Sequence, residues 1–196
     1  MRAGSAAVAL KAARAAQAGG MSVVEVTMNT PGALEVIAEL AAERRGLVGA
    51  GTVLDCATAD AVLATGARLV VSPHTDPELI RHVLDRGGLP VPGALTATEV
   101  VAALRAGAPV VKIFPAGCVG GPEYIRMLRG PFGTARFLVT GGVTGDNVGA
   151  YLSAGAFAAG LTGWLFPPDA LARGDWDAVT GRARDLMAGL RAAHNA

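Results

Sequence analysis

The chain has 196 residues, 52% of them apolar and 17% charged, with a formal net charge of +1 and a mean hydropathy of +0.42. That length supports one sizeable core rather than two, and that composition excludes a disordered chain. Arg and Lys are scattered, which excludes an electrostatic nucleic-acid binder, and two cysteines, Cys56 and Cys118, form neither a disulfide framework nor a zinc spacing. A reducing, cytoplasmic location and a single domain over 1–196 are expected.

Residues 5–18 read as an amphipathic helix. The first 24 residues lack acids and carry Arg2, Lys11 and Arg14, faintly like a transit peptide, but a helix accounts for the pattern better. An apolar strand follows at 23–28, and Thr30-Pro31 places a cap before a proline to open a helix reaching about residue 45. Strands are expected at 47–53, 69–73, 89–92, 110–115, 136–140 and 157–162, each short and several β-branched on both faces. Between them lie Asp76-Pro77-Glu78 as a helix start, Thr96 with Glu99 as a capping box, and Thr144 or Asp146 as the start of a helix to residue 153. Gly19-Gly20, Gly66, Gly87-Gly88, Gly107 and Gly155 close the helices. The uncharged run 148–168 is long enough to cross a bilayer, yet its glycines and prolines cut it into helix, turn and strand, so no membrane span is expected. After Asp175 a last helix sets Val179, Ala183, Leu186, Met187 and Leu190 on one stripe.

Alternation of this kind builds a parallel sheet, and uniform short units favour a closed (β/α)8 TIM barrel over a doubly wound sheet. Seven strands are visible. Only Met1-Arg2-Ala3-Gly4 precede the first helix, so the barrel is expected to lack most of its first strand.

Strand parity then selects the residues that can do chemistry. Barrel strands send alternate side chains into the lumen, and the face meeting the helices must be apolar. Glu25 opposes Val24 and Val26, so it points inward; the same rule sends Thr52, Lys112, Phe114 and Thr140 inward from three other strands. Lys112 is one of only two lysines against fifteen arginines. Arginine would serve for charge, but it cannot become a neutral nucleophile or form an imine. An amine with an ordinary pKa near ~10.4 is neutral at pH 7 only if burial pushes it down, at a cost of about 4 kcal/mol. The bland reading is a buried Lys112–Glu25 ion pair with a structural role, although such pairs stabilise poorly.

Gly141-Gly142 and Gly160 to Gly163 follow the last two strands, where barrels offer backbone N–H groups to a phosphate; plain turn chemistry is the alternative. His74 stands at a strand end near the mouth, whereas His82 and His194 read as solvated. Trp164 and Trp176 read as packing residues, and Cys118 as incidental.

Taken together, Glu25-Val26-Thr27, Gly49-Ala50-Gly51-Thr52-Val53, Val71-Ser72-Pro73-His74, Lys112-Ile113-Phe114-Pro115 and Thr140-Gly141-Gly142-Val143 resemble, in order and spacing, the class I 2-keto-3-deoxy-6-phosphogluconate (KDPG) aldolases. Members of that family often also cleave 4-hydroxy-2-oxoglutarate. The resemblance covers essentially the whole chain. It implies a (β/α)8 barrel assembled as a trimer, with a small 2-keto acid as substrate and neither metal nor organic cofactor. It makes Lys112 the Schiff-base lysine and Glu25 the proton shuttle. Thr52, Thr140 and Pro73 would hold the pyruvyl part, with Phe114 beside it, and Gly141 and Gly142 would give phosphate-binding amides. Three departures from the family pattern stand out. Met1-Arg2 echoes a Leu-Arg-like pair that ends the family's first strand, which places Arg2 at the substrate and the missing residues upstream of Met1. Asn29 occupies a position where many members carry a carboxylate-binding arginine. Gly163, beside Thr162, replaces a serine that often meets the phosphate. Two other readings stay open at this point: a phosphate-binding isomerase or epimerase barrel using Glu25 without an imine, and an inactive barrel.

Overall fold

A computed structural model describes residues 1–194, with the side chain of His194 outside the described set. Eight parallel strand segments alternate with helices: β1 Val23–Thr27, β2 Leu47–Gly51, β3 Leu69–Val71, β4 Leu89–Val91, β5 Gly93–Ala94, β6 Val111–Ile113, β7 Phe137–Thr140 and β8 Ala158–Gly160. The helices are α1 Ala6–Ala18, α2 Ala33–Glu43, α3 Cys56–Ala64, α4 Pro77–Asp85, α5 Ala97–Arg105, α6 Pro122–Arg129, α7 Val148–Ser153, α8 Pro168–Arg173 and α9 Trp176–His194. The strands pair in sequence order as β1-β2-β3-β4 and β5-β6-β7-β8. Pro92, which has no N–H to donate, separates β4 from β5, so these two segments are one interrupted strand and the seven expected strand positions are all present. The chain still bonds across the break, because Lys112 N–H donates to Pro92 O at 2.8 Å.

Met1 stands where a first strand belongs. Its N–H donates to Glu25 O and its carbonyl accepts from Thr27 N–H at 2.9 Å, a one-residue parallel bridge to β1.

Two outer cores fill the space between strands and helices. Val24, Val26, Val48, Ala50 and Val70 pack with Ala9, Ala12, Ile37 and Leu40 of α1 and α2. Val111, Ile113, Phe137 and Val139 pack with Val100, Ala103, Ile125 and Leu128 of α5 and α6. The residues alternating with these strand positions, namely Leu47, Leu69, Val71, Leu89, Val91, Val110 and Leu138, form a third cluster that fills the lumen from below. Small residues let α1 meet α9 closely: a Cβ on Gly19 would overlap Ala183.

Several local expectations are corrected. Thr30 does not cap α2; Gly32, at φ +71°, precedes the helix, and the buried Thr30 hydroxyl instead accepts from Ala3 N–H at 3.3 Å. A tertiary bond has taken the side chain that a local rule assigned to the helix. Helix α7 starts later than Thr144 or Asp146, because Asn147 accepts from Thr144 N–H (2.8 Å) and donates to Gly142 O (2.9 Å), holding 142–147 as a loop. His82 is not solvated: its Nε2 lies 2.9 Å from Asp60 and its side chain is 19% exposed. The Asp76-Pro77 start and the Thr96–Glu99 capping box are both present. No described helix is long and apolar enough to cross a membrane.

Candidate active site

Lys112 and Thr140 each sit one step above the lumen plug on their own strands. Val110 belongs to the plug, so Lys112, two residues on, shares its face; Leu138 does the same for Thr140. In β1, Val24 and Val26 face the helices, which turns Glu25 and Thr27 to the lumen. Register then sets heights: Lys112 pairs with Gly93 and Leu138, Glu25 with Gly49, and Thr140 with Gly160.

Lys112 is 8% exposed. Burial pushes its amine below the ordinary lysine range, while the charge of Glu25 opposes that shift. Its Nζ lies 4.8 Å from the centre of the Phe114 ring, which shields one side of the amine. Phe114, itself exposed at the mouth, lies against Gly141; a Cβ there would come 3.2 Å from its ring and 2.9 Å from Pro115. Gly141 takes φ +83° and Gly142 φ +82°, so this turn needs glycine twice over. Gly117 N–H donates to Gly141 O at 2.8 Å and ties the loop after β6 to the loop after β7.

Thr52 lies just beyond the alternation of its strand. Gly49 and Gly51 are the lumen positions of β2, so strict alternation would turn Thr52 outward. The strand ends at Gly51, and Thr52 adopts φ +60°, a left-handed conformation that costs a β-branched residue of order 1–3 kcal/mol. Val53 then returns to the outer core at 0% exposure. Strain of this kind at a strand end is characteristic of a functional position.

Two glycines that the sequence reading passed over shape the site. A Cβ on Gly51 would coincide with the Glu25 carboxylate, so Gly51 is the floor on which Glu25 lies. Gly93, paired with Lys112, admits the Pro73–His74 backbone so closely that its own Cβ would overlap Pro73 and come 2.9 Å from His74 N. Pro73 thereby lies against the residue that pairs with Lys112. Glycine at every second position of a strand, as at Gly49 and Gly51, was the available signal.

The remaining candidates lie farther out. Arg2 and Asn29 are exposed on the rim, Arg2 beside a cleft of about 430 Å³ with Phe166 and Pro168. Thr162 and Gly163 are exposed, and nothing lies within 4 Å of a Cβ placed on Gly163. His74 is exposed, as is Cys118 on the short 3₁₀ turn Ala116–Val119. Among the described residues no three His, Cys, Asp or Glu side chains are grouped as a metal would require. Chemically, the arrangement offers a buried, shielded amine that feels the charge of the Glu25 carboxylate, with two glycine turns following the last strands.

A family model described as KDPG and KHG aldolase matches residues 2–181. The chain is 39% identical over 180 residues to the 2-dehydro-3-deoxy-phosphogluconate aldolase of Pseudomonas aeruginosa, covering 91% of this chain and 81% of that one. It is 35% identical over 185 residues to the KHG/KDPG aldolase of Escherichia coli, covering 93% and 86%. Its fold superposes on the KDPG aldolase of Legionella pneumophila, solved with pyruvate captured as a covalent carbinolamine, with a TM-score of 0.86 and 30% identity over 95% of this chain and 90% of that one.

Proposed function

The chain belongs to the KDPG and KHG aldolase family, and from that membership we propose that it is a class I, Schiff-base aldolase acting on small 2-keto acids. The observation that carries the proposal is the buried Lys112 amine, held below its usual pKa in the same lumen as Glu25.

The Lys112 amine attacks the C2 ketone of the substrate and water leaves, giving an iminium that draws electrons toward C2. Glu25 takes the proton from the C4 hydroxyl as the C3–C4 bond breaks; the bond's electrons pass into the enamine and the C4 fragment leaves as an aldehyde. The enamine then regains a proton at C3, and water releases pyruvate from the lysine. Thr52, Thr140 and Pro73 bound the pyruvyl part, and Phe114 closes one side. Arg2 and Asn29 meet the outer substrate atoms at the rim, while Gly141, Gly142, Thr162 and Gly163 seat a phosphate. The products are pyruvate with glyceraldehyde 3-phosphate from 2-keto-3-deoxy-6-phosphogluconate, or with glyoxylate from 4-hydroxy-2-oxoglutarate. The working form is a trimer of single-domain barrels in the cytoplasm.

Pyruvate release from each of the two substrates, followed through a coupled lactate dehydrogenase, tests the proposal. Turnover of at least one that vanishes in Lys112→Met supports it. Turnover of neither by the folded wild type overturns it.

A further inference from the structure

Trp164 sits between the two glycine turns and touches the machinery of both. Its indole covers Gly145 so closely that a Cβ there would lie 2.6 Å from Cη2 and 2.9 Å from Cε2. Gly145 lies within the loop that begins at Gly141-Gly142 and that the Asn147 side chain holds by its carbonyl and amide contacts. On the other side, Trp164 directly follows Thr162-Gly163, whose turn is closed by Phe166 N–H donating to Thr162 O at 2.9 Å. The indole also packs against both outer cores, so it is anchored from below.

One basic side chain among the described residues is hydrogen-bonded to either loop. Arg182 of α9 donates from Nη1 to Trp164 O at 2.6 Å, and its guanidinium lies 5.6 Å from the centre of the indole. A charge-assisted bond and a cation–π contact on the same residue fix both its backbone and its ring.

We infer that Arg182 and Trp164 are positioning residues that hold the Thr162-Gly163 turn in register with Gly141-Gly142, so that the two turns form one seat for a phosphoryl group. The inference rests on the aldolase reading for the substrate that carries that group. It makes α9, which supplies no side chain to the lumen chemistry, a determinant of preference for phosphorylated substrates.

The test compares wild type, Arg182→Ala, Trp164→Leu and Arg184→Ala, the last removing an exposed charge from the same helix. Inorganic phosphate binding is measured by calorimetry, KM is measured for 2-keto-3-deoxy-6-phosphogluconate, and the pyruvate concentration giving half-maximal borohydride trapping serves as a reference that does not reach the turns. Arg182→Ala and Trp164→Leu are expected to weaken phosphate binding and raise KM about fivefold or more, as loss of a charge-assisted contact would. The pyruvate reference and Arg184→Ala should move by less than about twofold. Unchanged phosphate binding overturns the inference, as does an equal shift for phosphate and pyruvate, the mark of a merely structural role. If pyruvate is trapped while phosphate ignores Arg182, the clamp fails and the aldolase stands; if phosphate depends on Arg182 but pyruvate is never trapped, the aldolase reading fails instead.

Discussion

The lumen has two storeys built from the same strands. The lower one is closed by Leu47, Leu69, Val71, Leu89, Val91, Val110 and Leu138. Two residues higher on those strands stand Lys112 and Thr140, with glycine at 49 and 93, and Glu25 of the neighbouring β1 lies over Gly51. The lower storey is a packing problem, solved by branched side chains at high density. The upper storey places a cation where the dielectric is low and removes neighbouring Cβ atoms so that a carboxylate and a substrate fit. The dry floor makes the amine unusual, because an open, water-filled lumen would leave Lys112 an ordinary ammonium.

Substitutions can break that contrast from either side. Lys112→Met extends the apolar floor upward and should lower turnover by about four orders of magnitude, measured as pyruvate release. The same variant should be more stable than wild type around neutral pH. Because the folded amine has a lowered pKa, the unfolded chain binds more protons, so wild-type stability rises with pH toward the ordinary lysine range, and urea titrations of Lys112→Met should lack that alkaline rise. Gly51→Ala leaves both charges in place but displaces Glu25 from its floor; a displacement near ~1 Å should cost about a hundredfold in kcat. Leu69→Ala opens the lower storey instead. It should cost about 3 kcal/mol in urea unfolding while turnover per folded molecule stays within about threefold. The smallest effect concerns Glu25→Gln: removing the charge that holds the Lys112 pKa up should move the pH midpoint of pyruvate trapping downward. An upward move would contradict the opposition of the two groups.

Strand positions and the inward turn of Glu25, Lys112 and Thr140 were legible in the sequence because period-two burial against helices leaves few choices. Thr52 was selected by the same rule, but for a reason that does not hold; its left-handed φ is a property of the strand's end and has no periodic signature. Thr30 looked like a cap and instead binds Ala3, a contact across 27 residues that no local pattern encodes. Gly51 and Gly93 were harder to read for a related reason: their role is to lack a side chain where another part of the chain arrives, and the alternating glycines of β2 signalled that only for Gly51. Trp164 was recognised as a packing residue, and it is one, but what it packs against became visible only when Gly145 and Arg182 were brought to it.

The most direct measurement is reduction by borohydride in the presence of pyruvate, followed by peptide mass mapping. Lys11 is exposed on α1 and provides an internal control on the chain's only other lysine. A single pyruvate-derived adduct on Lys112, with Lys11 unmodified, is the expected result. An unlabelled folded protein, or label on Lys11 alone, would contradict a nucleophilic amine in the lumen.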